Sequence, residues 1–248
     1  MVNKIGFVFR KGIRVFVVLI NRIKHVWFFR SSNSALDYYR RKGIKIGEGT
    51  FIRDTKHINV DISRPELLEI GSNVLLHKGT IILTHDYASR CFVNSDSEFY
   101  PSHGKVKIGN NVWLGENVTI CKGVTIGDNC IIGIGSIVTK SIPSNSVAVG
   151  IPAKVICSYQ DYMKKRSVTY IDEAVEYARC IINSGREPTI EDFSDDYPCF
   201  VDGSNYQQYD YPYYKVFTKQ EQFDAWLANH KKVFDGFEDF INYCKESI

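Results

Sequence analysis

Histidine is the side chain best suited to move a proton near neutral pH, and the sequence contains six of them. They are His25, His57, His77, His85, His103 and His230. His85 lies in the segment Thr84-His-Asp-Tyr, where a regular repeat ends and an irregular segment begins. Catalytic residues are often found where loops leave a rigid scaffold. His85 is therefore our first candidate for a general base, against the alternative of a surface histidine that caps a turn.

A catalytic histidine usually has a second group that orients its other ring nitrogen. Asp86 is adjacent to His85, although a neighbour in sequence often points away. Asp96 and Glu98 follow in the irregular segment and could fold back onto the histidine, and a backbone carbonyl would also serve. The residue types leave this choice open.

Nucleophilic and metal chemistry are less favoured. The seven cysteines are scattered, odd in number and without a C-x-x-C pair, which argues against a disulfide framework and a zinc site. Cys121 and Cys130 fall on repeat positions that take small side chains, where a buried thiol acts as a small hydrophobic group. We predict no cysteine nucleophile, no metal and a reducing compartment.

The elements that must position these side chains are predicted from an internal repeat. An aliphatic residue recurs every six positions at Ile108, Leu114, Ile120, Ile126, Ile132 and Val138. An earlier run has the same spacing at Ile46, Ile52 and Ile58, then at Ile70, Leu76 and Ile82. The two runs are out of phase, so residues from about Thr84 to Lys107 are predicted to loop out.

A period of six is neither the 3.6 of an α-helix nor the alternation of a simple strand. It favours a coil with three flat faces, in which each aliphatic side chain points inward and stacked coils share one core. The alternative is an irregular β-sandwich with glycine-rich turns, which six hexads in phase disfavour.

The repeat also resembles a known family. The stretch Ile108-Gly-Asn-Asn-Val-Trp-Leu-Gly-Glu-Asn-Val, together with Val-Gly-Ile-Pro-Ala-Lys at its end, is similar to the hexapeptide-repeat acyltransferases, within the maltose/galactoside and polysaccharide O-acetyltransferase branch. The resemblance covers about residues 43–157. It implies a mainly β fold, a left-handed parallel β-helix, and a homotrimer with active sites between neighbouring subunits. It also implies acetyl-CoA as the acyl donor.

The same resemblance implies roles for particular residues. His85 corresponds to the catalytic histidine, and Trp113 to a tryptophan that lies along the pantetheine arm of the donor. Three residues correspond to positions that contact the adenosine end of CoA, and these are Thr139, Lys140 and Lys154. The candidates for binding the acceptor are His57, Asn59 and Asp86.

Three regions are predicted along the chain: a basic helical segment (1–42), the β-helix (43–157, with the loop-out at about 84–107) and a helical extension (158–248). Residues 1–30 hold seven Lys or Arg and no Asp or Glu. Two interpretations remain for them, contact with an anionic membrane surface and packing on the protein's own β-helix. In the extension we predict one helix from about Asp161 to Ile182 and a second that starts at a capping box, Thr218-x-x-Glu221. Between them lies a tyrosine-rich loop, for which we favour packing over sugar stacking.

The predicted function is an acetyl-CoA-dependent O-acetyltransferase of a sugar hydroxyl in bacterial surface polysaccharide biosynthesis. Direct transfer with His85 as the base is the expected mechanism. The alternative is an N-acetyltransferase of a nucleotide-linked amino sugar. A zinc carbonic anhydrase and a silent scaffold are disfavoured, the first because no H-x-x-x-x-H pair is present. The net charge of +3 gives no indication of nucleic-acid binding. We predict a cytoplasmic protein, with peripheral contact at the inner face of the membrane through residues 1–30 as one of the two interpretations above.

Overall fold

The structure is a computed structural model, which describes residues 28–209, 217 and 219–246. Most of the predicted basic segment, residues 1–27, therefore lies outside the described residues, as do Thr218 and three tyrosines of the predicted loop, Tyr211, Tyr213 and Tyr214. The described chain divides into two compact units, with the boundary between Tyr162 and Met163. None of its helices is long and apolar enough to cross a membrane.

Sixteen short strands occur in the described residues. In chain order they are β1 (Lys45–Ile46), β2 (Phe51–Ile52), β3 (Asn59–Val60), β4 (Leu68–Ile70), β5 (Leu75–Leu76), β6 (Ile81–Ile82), β7 (His85–Asp86), β8 (Ser102–His103), β9 (Val106–Ile108), β10 (Val112–Leu114), β11 (Thr119–Ile120), β12 (Thr125–Ile126), β13 (Cys130–Ile132), β14 (Ile137–Val138), β15 (Ser146–Val149) and β16 (Lys154–Ser158). The described α-helices are α1 (Ser32–Arg41), α2 (Ser89–Asp96), α3 (Tyr159–Asn183), α4 (Gln220–Asn229) and α5 (Phe237–Glu246).

The strands of the first unit form three sheets that the chain visits in turn. The first sheet has the order β1-β4-β9-β12, the second β2-β5-β10-β13-β15-β16, and the third β3-β6-β11-β14. All pairs in them are parallel except β15 with β16. Each circuit of the three sheets stacks on the one before it, which fits a parallel β-helix. The handedness of the coil stays a prediction.

The six-residue aliphatic period forms the core of this coil, as predicted. These side chains are at most 1% exposed, and they are Ile108, Leu114, Ile120, Ile126, Ile132 and Val138. Burial of each contributes about 1.5–3 kcal/mol to the hydrophobic stabilisation.

At one end, α1 packs on the first coil: Leu36 and Tyr39 join the core, and the Ile52 amide donates to Ser32 Oγ at 2.8 Å. Helix α1 thereby covers apolar surface that the first coil would otherwise expose.

One hexad position was predicted incorrectly. Ile58 is only partly buried, and Val60 occupies the inward position instead, opposite Ile82 in the third sheet. The connection from Ile52 to this position is two residues longer than a regular hexad, so the true register lies two residues further along the chain. Between β6 and β9, where we predicted the loop-out, the chain forms α2 and the antiparallel pair β7–β8.

The second unit has a separate core around Phe193, Phe200 and Phe240, all fully buried. The predicted helix from Asp161 to Ile182 is α3, which ends before Gly185 at a φ of 80°. The prediction of a single second helix is wrong, because the chain forms two helices, α4 and α5, with a break between them. Gly236 precedes α5 with a φ of 108°, a conformation that interrupts a helix. Tyr197 is 5% exposed in this core, in line with packing.

An asparagine ladder stabilises the turns between the first and second sheets. Asn111, Asn129 and Asn145 have φ values of 53°, 54° and 58°. Asn111 Nδ2 donates to Asn129 Oδ1 at 2.9 Å, and Asn129 Nδ2 donates to Asn145 Oδ1 at 3.0 Å. Asparagine suits these positions because it tolerates the left-handed conformation better than other residues with a Cβ atom.

We predict that Asn129→Ala lowers the free energy of unfolding by about 2 kcal/mol, from left-handed backbone strain and the loss of two side-chain hydrogen bonds. Asn129→Gly is the matched control, since it removes the same bonds without the strain and should cost less. Urea denaturation of both variants followed by circular dichroism measures the difference. Equal stability of Asn129→Ala and the wild type would contradict a stabilising ladder.

Candidate active site

His85 lies directly after the third sheet, where the irregular segment leaves the coil. It is the first residue of β7, and its backbone pairs with that of His103 in β8. The side chain is 13% exposed. A rigid coil on one side and a loop on the other thus fix the imidazole at a partly accessible position, which is what a base requires.

The second ring nitrogen is oriented by Asp61. His85 Nδ1 lies 2.6 Å from Asp61 Oδ2, and the Asp61 side chain is 7% exposed. Asp61 follows β3, and its amide donates to the Ile82 carbonyl at 3.0 Å, which continues the pairing of β3 with β6. The register of the third sheet therefore brings the carboxylate to the histidine.

Asp61 is held as a carboxylate by a set of donors. The Thr84 amide donates to Oδ2 at 3.1 Å, the Thr84 hydroxyl also donates to Oδ2, and the Ser63 amide and hydroxyl donate to Oδ1 at 2.9 and 2.7 Å. Burial raises the pKa of Asp61, but the hydrogen bonds from Thr84, Ser63 and His85 outweigh it, so this pKa lies well below its ordinary value. An ionised carboxylate only accepts hydrogen bonds, so Nδ1 carries the proton of neutral His85 and Nε2 keeps its lone pair.

None of the three carboxylates that we considered as partners takes this place. Asp86 instead pairs with Lys122 Nζ, which also contacts Ser102 Oγ. The hydrogen bond from Lys122 is the main reason that the pKa of Asp86 is lowered. By contacting both Asp86 and Ser102, Lys122 links the start of the irregular segment to its end. The role of Asp86 in acceptor binding stays a prediction.

The other two acceptor candidates lie close to Asp61 in sequence but differ in position. Asn59 lies two residues before Asp61 along the same extended segment. Both side chains therefore project from the same face of the strand, from positions roughly 7 Å apart. His57 is brought to a different partner: its Nδ1 lies 2.7 Å from Asp54 Oδ2, and its side chain is 60% exposed. The structure thus contains a second, more exposed histidine–aspartate pair.

Trp113 lies on the outer face of the second sheet, between Leu75 and Ile131 on the neighbouring strands. It is 38% exposed, and the His77 ring lies edge-on to it at 5.2 Å. Beside Trp113 is a cavity of about 450 Å³, to which Tyr159 and Tyr162 also contribute. A cavity of this size is in the range of small-molecule sites.

Thr139, Lys140 and Lys154 lie together at the far end of the coil. All three are exposed, and the Ala153 amide donates to the Ile137 carbonyl at 2.8 Å, which places the two segments side by side. Two ammonium groups at one end of the coil suit an anionic ligand such as a phosphate. Within one chain, His85 follows the third sheet whereas Trp113 lies on the second, so the base and the tryptophan occupy different faces.

Asp61 is a candidate functional residue that the sequence alone did not indicate. Its signal is the segment Asn59-Val-Asp, in which a carboxylate follows an inward aliphatic residue. Because the register was placed on Ile58, Asp61 was not aligned with the end of β6.

Comparison with known proteins agrees with this repeat. Residues 105–140 match the family described as bacterial transferase hexapeptide (six repeats). The galactoside O-acetyltransferase of Escherichia coli K12 is 41% identical over 105 residues, which cover 42% of this chain and 51% of that protein. The protein named lipopolysaccharide biosynthesis O-acetyl transferase WbbJ, also from Escherichia coli K12, is 36% identical over 125 residues, covering 46% and 63%.

The chain thus spans between half and two thirds of the length of these two relatives. Among solved structures, the maltose O-acetyltransferase from Clostridium difficile 630 is 31% identical, with coverage of 54% of this chain and 81% of that one and a TM-score of 0.38. Residues 105–140 thus carry the bacterial transferase hexapeptide repeat, and over less than half of its length the chain is similar in sequence to these O-acetyltransferases.

Proposed function

We propose that the protein is an acetyl-CoA-dependent O-acetyltransferase that acts on a sugar hydroxyl in bacterial surface polysaccharide biosynthesis. The observation that carries the proposal is the His85–Asp61 pair, in which a carboxylate at 2.6 Å leaves Nε2 of the imidazole as the basic nitrogen. The relatives named as galactoside and lipopolysaccharide O-acetyltransferases support the choice of a sugar hydroxyl as acceptor.

The chemistry follows from the two nitrogens of His85. Nε2 takes the proton of the acceptor hydroxyl as its oxygen attacks the thioester carbonyl, and a C–O bond forms. The carbon–sulfur bond then breaks, and the imidazolium returns the proton to the departing CoA thiolate. Asp61 stabilises the transient imidazolium and holds the ring in place. Direct transfer needs no acyl-enzyme, in keeping with the burial of Cys130, which raises its pKa.

The donor is proposed to lie along the second sheet. Trp113 and the adjacent cavity would take the pantetheine arm, and Lys140 and Lys154 would meet the phosphates of CoA. Because these groups lie on another face than His85, we propose a homotrimer in which each active site combines the base of one subunit with the tryptophan of the next. A left-handed coil, as the resemblance implies, is part of this proposal.

The location of the enzyme is also a proposal. A cytoplasmic protein would meet acetyl-CoA, and the basic segment of residues 1–30 would bring it to the inner face of the membrane, where surface glycans are built.

We predict that His85→Ala and Asp61→Asn each lower kcat by about 10²- to 10⁴-fold, because the first removes the base and the second favours the wrong tautomer. The KM for acetyl-CoA should stay within about twofold. Steady-state kinetics with a thiol-detecting assay measures both constants. If Asp54→Asn abolishes transfer and Asp61→Asn does not, the base is His57 and the assignment to His85 is wrong.

A shared active site predicts complementation between inactive variants. His85→Ala and Trp113→Ala subunits, unfolded together and refolded in equal amounts, should regain about one quarter of the wild-type activity. Three quarters of the trimers are then mixed, and each mixed trimer has one site with both intact residues. Proteins refolded separately and then combined are the control. No recovery in mixed trimers confirmed by sedimentation would contradict a site that joins His85 and Trp113 of different subunits.

The acceptor class is tested with acetyl-CoA and a panel that contains galactosides, maltose and nucleotide-linked amino sugars. We expect acetyl esters on a hydroxyl of a neutral sugar, identified by mass spectrometry and by their release in mild base. Base-stable amides on an amino sugar would favour the N-acetyltransferase instead. Transfer to no member of the panel would contradict the proposed function.

A further inference from the structure

The irregular segment beside His85 carries an exposed aromatic surface. Tyr87 is 75% exposed, Phe92 44%, Phe99 64% and Tyr100 60%. These four rings lie within residues 87–100, which we call the aromatic loop. Large exposed apolar surfaces are uncommon on soluble proteins and mark binding sites when they are clustered.

Tyr87 connects this surface to the base. Its ring meets the His85 ring edge-on, with centroids 4.9 Å apart and an interplanar angle of 89°. A molecule that contacts the exposed Tyr87 ring would therefore lie beside the imidazole. The Phe92 and Tyr100 rings, 6.3 Å apart, hold the loop together further along.

The aromatic loop is anchored at both ends. Lys122, on the coil, contacts Asp86 just before the loop and Ser102 just after it. The antiparallel pairing of β7 with β8 joins the same two segments. The exposed rings therefore lie on a loop whose two ends are held in place, which suits ligand recognition better than a free chain end would.

The charge of the aromatic loop indicates which chemical class of ligand the loop can bind. It has one arginine, Arg90, against two carboxylates, Asp96 and Glu98. A phosphorylated or otherwise anionic acceptor would meet a weakly negative surface. A neutral sugar offers an apolar C–H face to an aromatic ring.

We propose that the aromatic loop binds the acceptor, and that Tyr87 takes an uncharged sugar ring against its exposed face while His85 reaches the hydroxyl. The inference rests on the proposed function and names the substrate class of the same site. Tyr87 is then a residue that determines acceptor specificity, and Lys122 is a positioning residue that holds the loop.

The test compares Tyr87→Ala with Tyr87→Phe in the full-length protein, using the neutral sugar that the wild type acetylates best. Tyr87→Ala should raise the KM for that sugar by about tenfold or more, while the KM for acetyl-CoA stays within about twofold. Tyr87→Phe keeps the ring and should stay near the wild type. Tyr177→Ala, which removes an exposed tyrosine of the second unit, is the matched control. Thermal melting by circular dichroism checks that each variant is folded.

Several outcomes would overturn the inference. Tyr87→Ala with an unchanged KM for the sugar would exclude Tyr87 from acceptor binding. A change in oligomeric state of Tyr87→Ala in sedimentation equilibrium would show that a second copy of the chain covers this surface. Preference of the wild type for a nucleotide-linked sugar over neutral sugars would contradict the uncharged class. If the wild type transfers acetyl to no sugar, the proposed function fails instead, so the two failures are distinct.

Discussion

The candidate site depends on the parallel register between successive coils. Val60 lies opposite Ile82, and the Asp61 amide donates to the Ile82 carbonyl. This register brings the Asp61 carboxylate within hydrogen-bonding distance of His85, three residues after Ile82. Side chains alternate along a strand, so a slip of one residue would turn Asp61 toward the core and Val60 toward solvent. Burial of the aliphatic residues therefore does more than stabilise the coil. It also determines which polar residues can meet on its surface.

The same register accounts for what the sequence could and could not predict. The hexads from Ile108 to Val138 are regular, and their inward positions follow directly from the spacing. The coil around Ile58 contains two extra residues, and local periodicity cannot determine how such an insertion is absorbed. Asp61 was missed for this reason, since its relation to His85 requires the pairing of β3 with β6, a contact between segments more than 20 residues apart. His85 itself was chosen as a candidate because the repeat visibly stops there.

The predictions made from single residues were less complete than those made from the repeat. Asp86 was one of several partners of His85 that the sequence left open; neighbouring side chains on a strand point to opposite sides, and Asp86 contacts Lys122 instead. The break between α4 and α5 was missed because apolar residues on both sides of it have a helical spacing, whereas the backbone is extended at His230, where α4 ends, and has a φ of 108° at Gly236, just before α5. In both cases a property of the backbone overrides a pattern of side chains.

The irregular segment and the coil have complementary parts in the proposed reaction. The coil supplies the buried carboxylate and the fixed imidazole, whereas the segment between β6 and β9 supplies the exposed rings around them. Lys122 joins the two by contacts to both ends of the segment.

The central claim is that Asp61 fixes the tautomer of His85 and so makes Nε2 the base. Nitrogen NMR of protein labelled with ¹⁵N-histidine, with His85 assigned by comparison with His85→Ala, measures this directly near neutral pH. The account predicts that the neutral form of His85 carries its proton on Nδ1, and that this form shifts toward the Nε2–H tautomer in Asp61→Asn. Neutral His85 with its proton on Nε2 in the wild type would contradict it.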